Sequence, residues 1–250
     1  QGYLVPRETT SGFDLVGDLA DVDMPDSIQS LVMSRIDRLD ETSKLAIKVA
    51  SVVGRSFEES LLHAIYPVAV SQAALHTSLQ HLSTLDLTPL DRPAPDWEYA
   101  FRHVITQEVA YESLLYAHRQ DLHHRVGECL EQRYAGNLEE HYELLAYHFA
   151  ESADKEKGWH YLLRAGDKAR QSYANESAID FYAQALALAP QAPDVTVAHQ
   201  ALADVYHLLG RYDPALDHYR HALDSAHSQA ESALLRRKIA KTWAVQGLYD

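Results

Sequence analysis

ALADVYHLLGRYDPALDHYRHAL, residues 201–223, places Ala203, Tyr206, Gly210 and Tyr212 ahead of Ala215, Tyr219, Ala222 and Leu223, the spacing of two antiparallel helices joined by a tight turn. Shifted back by 37 residues, the second set falls on Ala178, Tyr182, Ala185 and Leu186. Shifted forward by 37, the first set falls on Ala240, Trp243, Gly247 and Tyr249. Two independent sets of positions agree on one period, so the chain carries repeated helical hairpins. Small residues recur because helix backbones must approach where they cross, and aromatic residues recur because the space between them must be filled.

Working outward, SYANESAIDFYAQALALAP (172–190) supplies the second half of one hairpin, and RKIAKTWAVQGLYD (237–250) the first half of another. LLAYHFAESADKEKGWHYLLRAG (144–166) reads as an earlier, degenerate hairpin, and the residues beyond the usual repeat length are expected around Gln191–Pro193. Upstream the pattern differs. Asp26 is the expected N-cap of SIQSLVMSRIDRL, Asp40 that of ETSKLAIKVASVVG, with Gly54 closing it. FEESLLHAIY (57–66) and SQAALHTSLQHLSTL (71–85, capped by Ser71) follow as helices. LTPLDR (87–92) and WEYAFRH (97–103) read as two short strands across the turn DRPAPD, and VITQEVAYESLLY (104–116) and RQDLHHRVGECLEQRY (119–134) resume the helices. Three divisions result: an acidic, irregular stretch over 1–25, which reads as the trailing edge of an upstream region; a winged-helix-like unit over 26–135; and an α-solenoid of helical hairpins over 136–250. The fold class is mainly α with one short β-hairpin.

Acidic residues outnumber Lys and Arg by 36 to 22 overall, by 20 to 11 up to Ala135 and by 16 to 11 after it. Neither half offers the basic footprint that nucleic acid or an anionic membrane requires. The expected recognition helix of a winged-helix DNA reader, residues 71–85, contains no Lys or Arg, which argues against the groove. No apolar run is long enough for a membrane span. The single cysteine, Cys129, excludes an internal disulfide and suits a reducing, cytoplasmic compartment. The N-terminus lacks a starting Met and WAVQGLYD stops at a hairpin turn, so the chain reads as a fragment.

The hairpin pattern resembles the tetratricopeptide repeat. The strings of residues 22–62, 100–131 and 144–152 resemble the region after the nucleotide-binding core in bacterial STAND-class signal-transduction ATPases, including those linked to class III cyclases. That resemblance implies a regulatory arm: repeats that sense a protein or peptide effector, and a winged helix that relays occupancy to an ATPase core binding ATP or ADP. The core is expected upstream of Gln1. GFDLVGDL has Gly12 and Gly17 at P-loop spacing, but Asp18 and Leu19 stand where the phosphate-binding Lys and the Ser or Thr belong. A free-standing repeat scaffold is the alternative, and a winged-helix DNA-binding regulator the second.

In related subclasses a winged-helix histidine touches the nucleotide, and His103 in FRHVITQEV matches that position by resemblance, with Val104 departing from the acidic residue common there. No catalytic residue is expected, because no nucleophile elbow or triad spacing occurs. The histidine pairs His118 with His123 or His124, His141 with His148, and His218 with His221 lack the convergent spacing of a metal site, so none is assigned. Since first helices line the concave side of such arrays, the expected partner-binding residues are Arg170, Gln200, Asp204, His207, Arg237 and Lys241, with Asp167 and Gln171 beside them. Ile239, Trp243, Val245 and Leu248 are expected to lack a covering helix and to favour self-association.

Overall fold

The computed structural model describes residues 4–6, 13–15, 26–95, 97–188 and 195–247. Leu4–Pro6 (β1) and Phe13–Leu15 (β2) pair antiparallel, where an irregular stretch is expected; three-residue strands are too short to show alternation in sequence. Gly12, Gly17, Asp18 and Leu19 lie outside the described residues, as do Gln191–Pro193 and Leu248.

The next unit runs α1 (Asp26–Asp37), α2 (Glu41–Val53), β3 (Ser56–Glu58), α3 (Glu59–Ile65), α4 (Gln72–Thr84), β4 (Leu90–Arg92) and β5 (Glu98–Ala100). Local signals set three of the helix ends. The Asp40 carboxylate accepts from the Ser43 N–H at 3.0 Å and the Ser71 hydroxyl from Ala74 N–H at 3.2 Å, while Gly54 closes α2 at φ 146°. The strands form one antiparallel sheet in the order β3-β5-β4, with Phe57 opposite Tyr99. β3 corrects the expectation of a helix starting at Phe57. That ring is buried 6.0 Å from Tyr99 and 5.9 Å from Phe101, and covering three aromatic rings outweighs helix propensity over three residues.

Two helices stand where two are expected, but their boundary differs: α5 (Val104–Glu112) stops short of Tyr116, and α6 (Tyr116–Arg133) already begins there rather than at Arg119. The Ser113 hydroxyl donates to the Ala110 carbonyl at 2.6 Å, taking up an acceptor at the end of α5, and the chain turns before α6. After a 3₁₀ turn at Leu138–His141 come α7 (Tyr142–Glu151), α8 (Lys155–Gln171), α9 (Asn175–Leu188), α10 (Val195–Leu208), α11 (Tyr212–Asp224) and α12 (Gln229–Gln246). Each of these packs on its sequence neighbour.

The main buried cluster extends from Val32 of α1 through α6, α7 and α8 to Ala185 of α9 and Ala198 of α10, and crosses residue 135 without a gap. Two smaller clusters hold the repeats, one around Ala178, Tyr182 and Leu202, the other around Ala215, Tyr219 and Leu235. Ile239 belongs to the second of these, correcting the expectation that it faces a missing helix: its side chain reaches α11. Trp243 and Val245 remain 39% and 54% exposed. No helix among the described residues is long and apolar enough to cross a membrane.

Candidate functional site

The repeat period is visible as geometry. Tyr182 of α9 donates its hydroxyl to Asp167 of α8 at 2.8 Å, and Tyr219 of α11 donates to Asp204 of α10 at 2.6 Å; donors and acceptors are both related by 37 residues. Burial foremost, and then the adjoining carboxylate, push both phenols above their ordinary pKa, so each stays a donor. Gly166 lies where α8 and α9 cross: a Cβ there would stand 2.6 Å from the Tyr182 ring. The turns repeat as well. Gly210 at φ 73° and Gly247 at φ 80° close their helices in the left-handed region, and 37 residues before Gly210 the same conformation is taken by Tyr173, at φ 62°.

The candidate site is the face shared by the first helices of the hairpins, α8, α10 and α12. On α10, the Asp204 carboxylate takes Lys238 Nζ of α12 at 2.7 and 2.6 Å in addition to the Tyr219 hydroxyl. His207 Nδ1 lies 3.0 Å from the Thr242 hydroxyl of α12. Asp204 and His207, both expected to bind a partner, are therefore engaged in holding α12 against α10. Arg170 is exposed near the end of α8, its guanidinium 3.5 Å from Asp167, and Gln200 is half-buried on α10. Arg237 and Lys241 are exposed on α12, and neither has an ion-pair partner among the described residues. Along the same stripe Val197, Leu208 and Val245 expose 59%, 63% and 54% of their surface.

Sequence spacing separated these residues from their neighbours but could not show which charges are consumed internally. The signal for that was present: Asp167 and Asp204 share the offset of Tyr182 and Tyr219.

His103 stands apart from this face. It is exposed, occupies the N-cap position of α5 with extended backbone and no capping hydrogen bond, and is separated from the end of β5 by Phe101 and Arg102. Its neighbour Arg102 pairs with Asp86, whose carboxyl is held low first by that hydrogen bond and partly by the proximity of His103. The histidines meet in combinations the sequence spacing did not suggest. His123 joins His148, and His199 joins His218 at 3.0 Å between Nδ1 atoms with the His221 ring 5.2 Å from His199. His141 stacks on Tyr134 with ring centres 3.6 Å apart.

A family model described as Tetratricopeptide repeat matches residues 163–227, from the middle of α8 to just past α11. No curated protein matches the chain. Residues 163–227 are thus similar to tetratricopeptide repeats, a class of helical repeat that generally binds protein partners.

Proposed function

We propose that the α8, α10 and α12 face captures an extended segment of a partner protein rich in carboxylates and aliphatic side chains. The observation that carries this is the pairing of unneutralised Arg237 and Lys241 with exposed Val197, Leu208 and Val245, a cationic stripe on a chain whose formal net charge is −14. Charge-assisted hydrogen bonds fix the register of such a segment, and the aliphatic positions give it apolar contact.

On this reading the unit from α1 to β5 is a winged helix that relays occupancy to an ATPase core, which binds ATP or ADP and lies outside this chain. The order helix, helix, strand, helix, helix, strand, strand supports the relay reading, and the exposed ring of His103 beside β5 supports a nucleotide contact there. The chain itself contributes no catalysis. A repeat scaffold with no nucleotide partner is the second reading, equally supported by the family match, which runs from the middle of α8 to just past α11 and does not include the strand-bearing unit.

Replacing Arg170 and Arg237 with Ala tests the capture face. Melting should stay nearly unchanged, because exposed charges contribute little to folding, while affinity for acidic, aliphatic peptides falls at least tenfold. Unchanged affinity in the double variant would remove this face from the account. With the isolated ATPase core added, His103→Ala should weaken ADP retention on the relay reading and leave it unaltered on the scaffold reading.

A further inference from the structure

His123 of α6 and His148 of α7 are fully buried, and their Nδ1 atoms face one another at 3.0 Å with ring centres 5.2 Å apart. Such a contact needs one proton between the two nitrogens, so one ring donates through Nδ1 and the other accepts. Tyr111 of α5 completes the arrangement, its hydroxyl 3.1 Å from His123 Nε2. His148 Nε2 is buried without a partner. A bare acceptor is the less costly orphan, so the favoured arrangement has His148 donating through Nδ1, with His123 donating through Nε2 to the Tyr111 oxygen. Each ring then carries one proton and no charge.

The surroundings give a second proton nowhere to go. Tyr147 of α7 presents its ring edge-on to His123 at 5.5 Å, and Arg119 of α6 lies over Tyr111 at 4.9 Å, adding positive charge on that side. His124 of α6 turns its ring to Phe149. Glu151 of α7 acts on Tyr111 and Tyr147, and no carboxylate among the described residues accepts from either histidine. Lys157 of α8 covers the Phe149 ring. Helices α2 and α3 also pack on α6 and bring no charge that acts on the pair.

We propose that the His123–His148 contact is a pH-sensitive latch at the seam where the repeats join the strand-bearing unit: closed while both rings are neutral, and forced open when each takes a proton from solvent. With both rings protonated, two N–H groups oppose one another in a buried site, and α6 and α7 must separate to hydrate them.

The direction in pH follows from burial, the largest cause, which lowers His123 to about 4 and His148 to about 3 from the ordinary 6.5; Arg119 depresses His123 further, and His123 depresses His148. In the opened state the rings bind protons near 6.5, and in the closed state they do not. The closed form is fully favoured above that value and loses about tenfold per ring for each pH unit below it, until the closed-state rings also bind protons, near 4 for His123 and near 3 for His148.

The test is amide hydrogen exchange on the whole chain at pH 7.5 and 5.5, corrected for intrinsic rates. Protection in α6 and α7 should fall at least tenfold at the lower pH while that in α2 holds, and the His123→Gln/His148→Gln variant, which pairs but does not titrate, should show no such fall. An equal loss throughout the chain, or an unchanged acid response in the variant, would overturn the latch. Imidazole ¹⁵N shifts of the wild type decide the matter if the variant does not fold: titration of both rings near 6.5 without loss of α6 and α7 protection contradicts it.

Discussion

Tyr173 holds a conformation its repeat equivalents leave to glycine. At φ 62° an L-residue is strained by roughly 1–2 kcal/mol, and with 82% of its surface exposed the phenol ring gains little packing in return. Tyr173→Gly should stabilise the chain by about 0.5–1 kcal/mol after the entropy of glycine in the unfolded state is counted, visible as a higher denaturant midpoint at constant slope. Gly166 is the opposite case. Its missing Cβ lets α8 close on a Tyr182 ring that cannot swing aside, because its hydroxyl is held by Asp167. Gly166→Ala should cost about 1–3 kcal/mol in the same assay, and a neutral result would mean that the helices separate freely. The repeat period was readable from residue types alone. The strain at Tyr173 was not, because a tyrosine in that position looks like any exposed aromatic until the turn is superposed on Gly210 and Gly247.

Among the elements, helices with local punctuation were readable and those shaped by distant packing were not. Asp40, Ser71 and Gly54 mark their helix ends in sequence and mark them in the structure. β3 and the position of the break between α5 and α6 have no such punctuation: one is drawn out by the rings of Tyr99 and Phe101, and the other falls at Ser113, whose hydroxyl bonds back to Ala110, before the expected Tyr116. The role of Asp204 belongs here too, because it depends on α11 and α12 meeting at one carboxylate. Asp204→Ala leaves the buried Tyr219 hydroxyl and Lys238 without an acceptor and should cost about 1–3 kcal/mol. Asp204→Asn keeps an acceptor for Tyr219 and should cost less. Hydrogen exchange locates the effect, with α12 losing protection before α8; equal exchange in both variants and the wild type would show that the contact holds nothing.

At the scale of the molecule, an acidic chain exposes Arg237 and Lys241 on one face of its repeats, neither ion-paired among the described residues, and the proposed capture rests on that pair beside the exposed aliphatic side chains. Binding of an acidic, aliphatic peptide should weaken steeply with added salt, since the contacts are exposed ion pairs. A flat salt dependence would point to apolar docking instead. Amide chemical-shift mapping on the ¹⁵N-labelled chain locates the bound peptide residue by residue. The account predicts shifts concentrated around Arg170, Gln200, Arg237 and Lys241 on α8, α10 and α12, and shifts confined to α9 and α11, or to the strand-bearing unit, would contradict it.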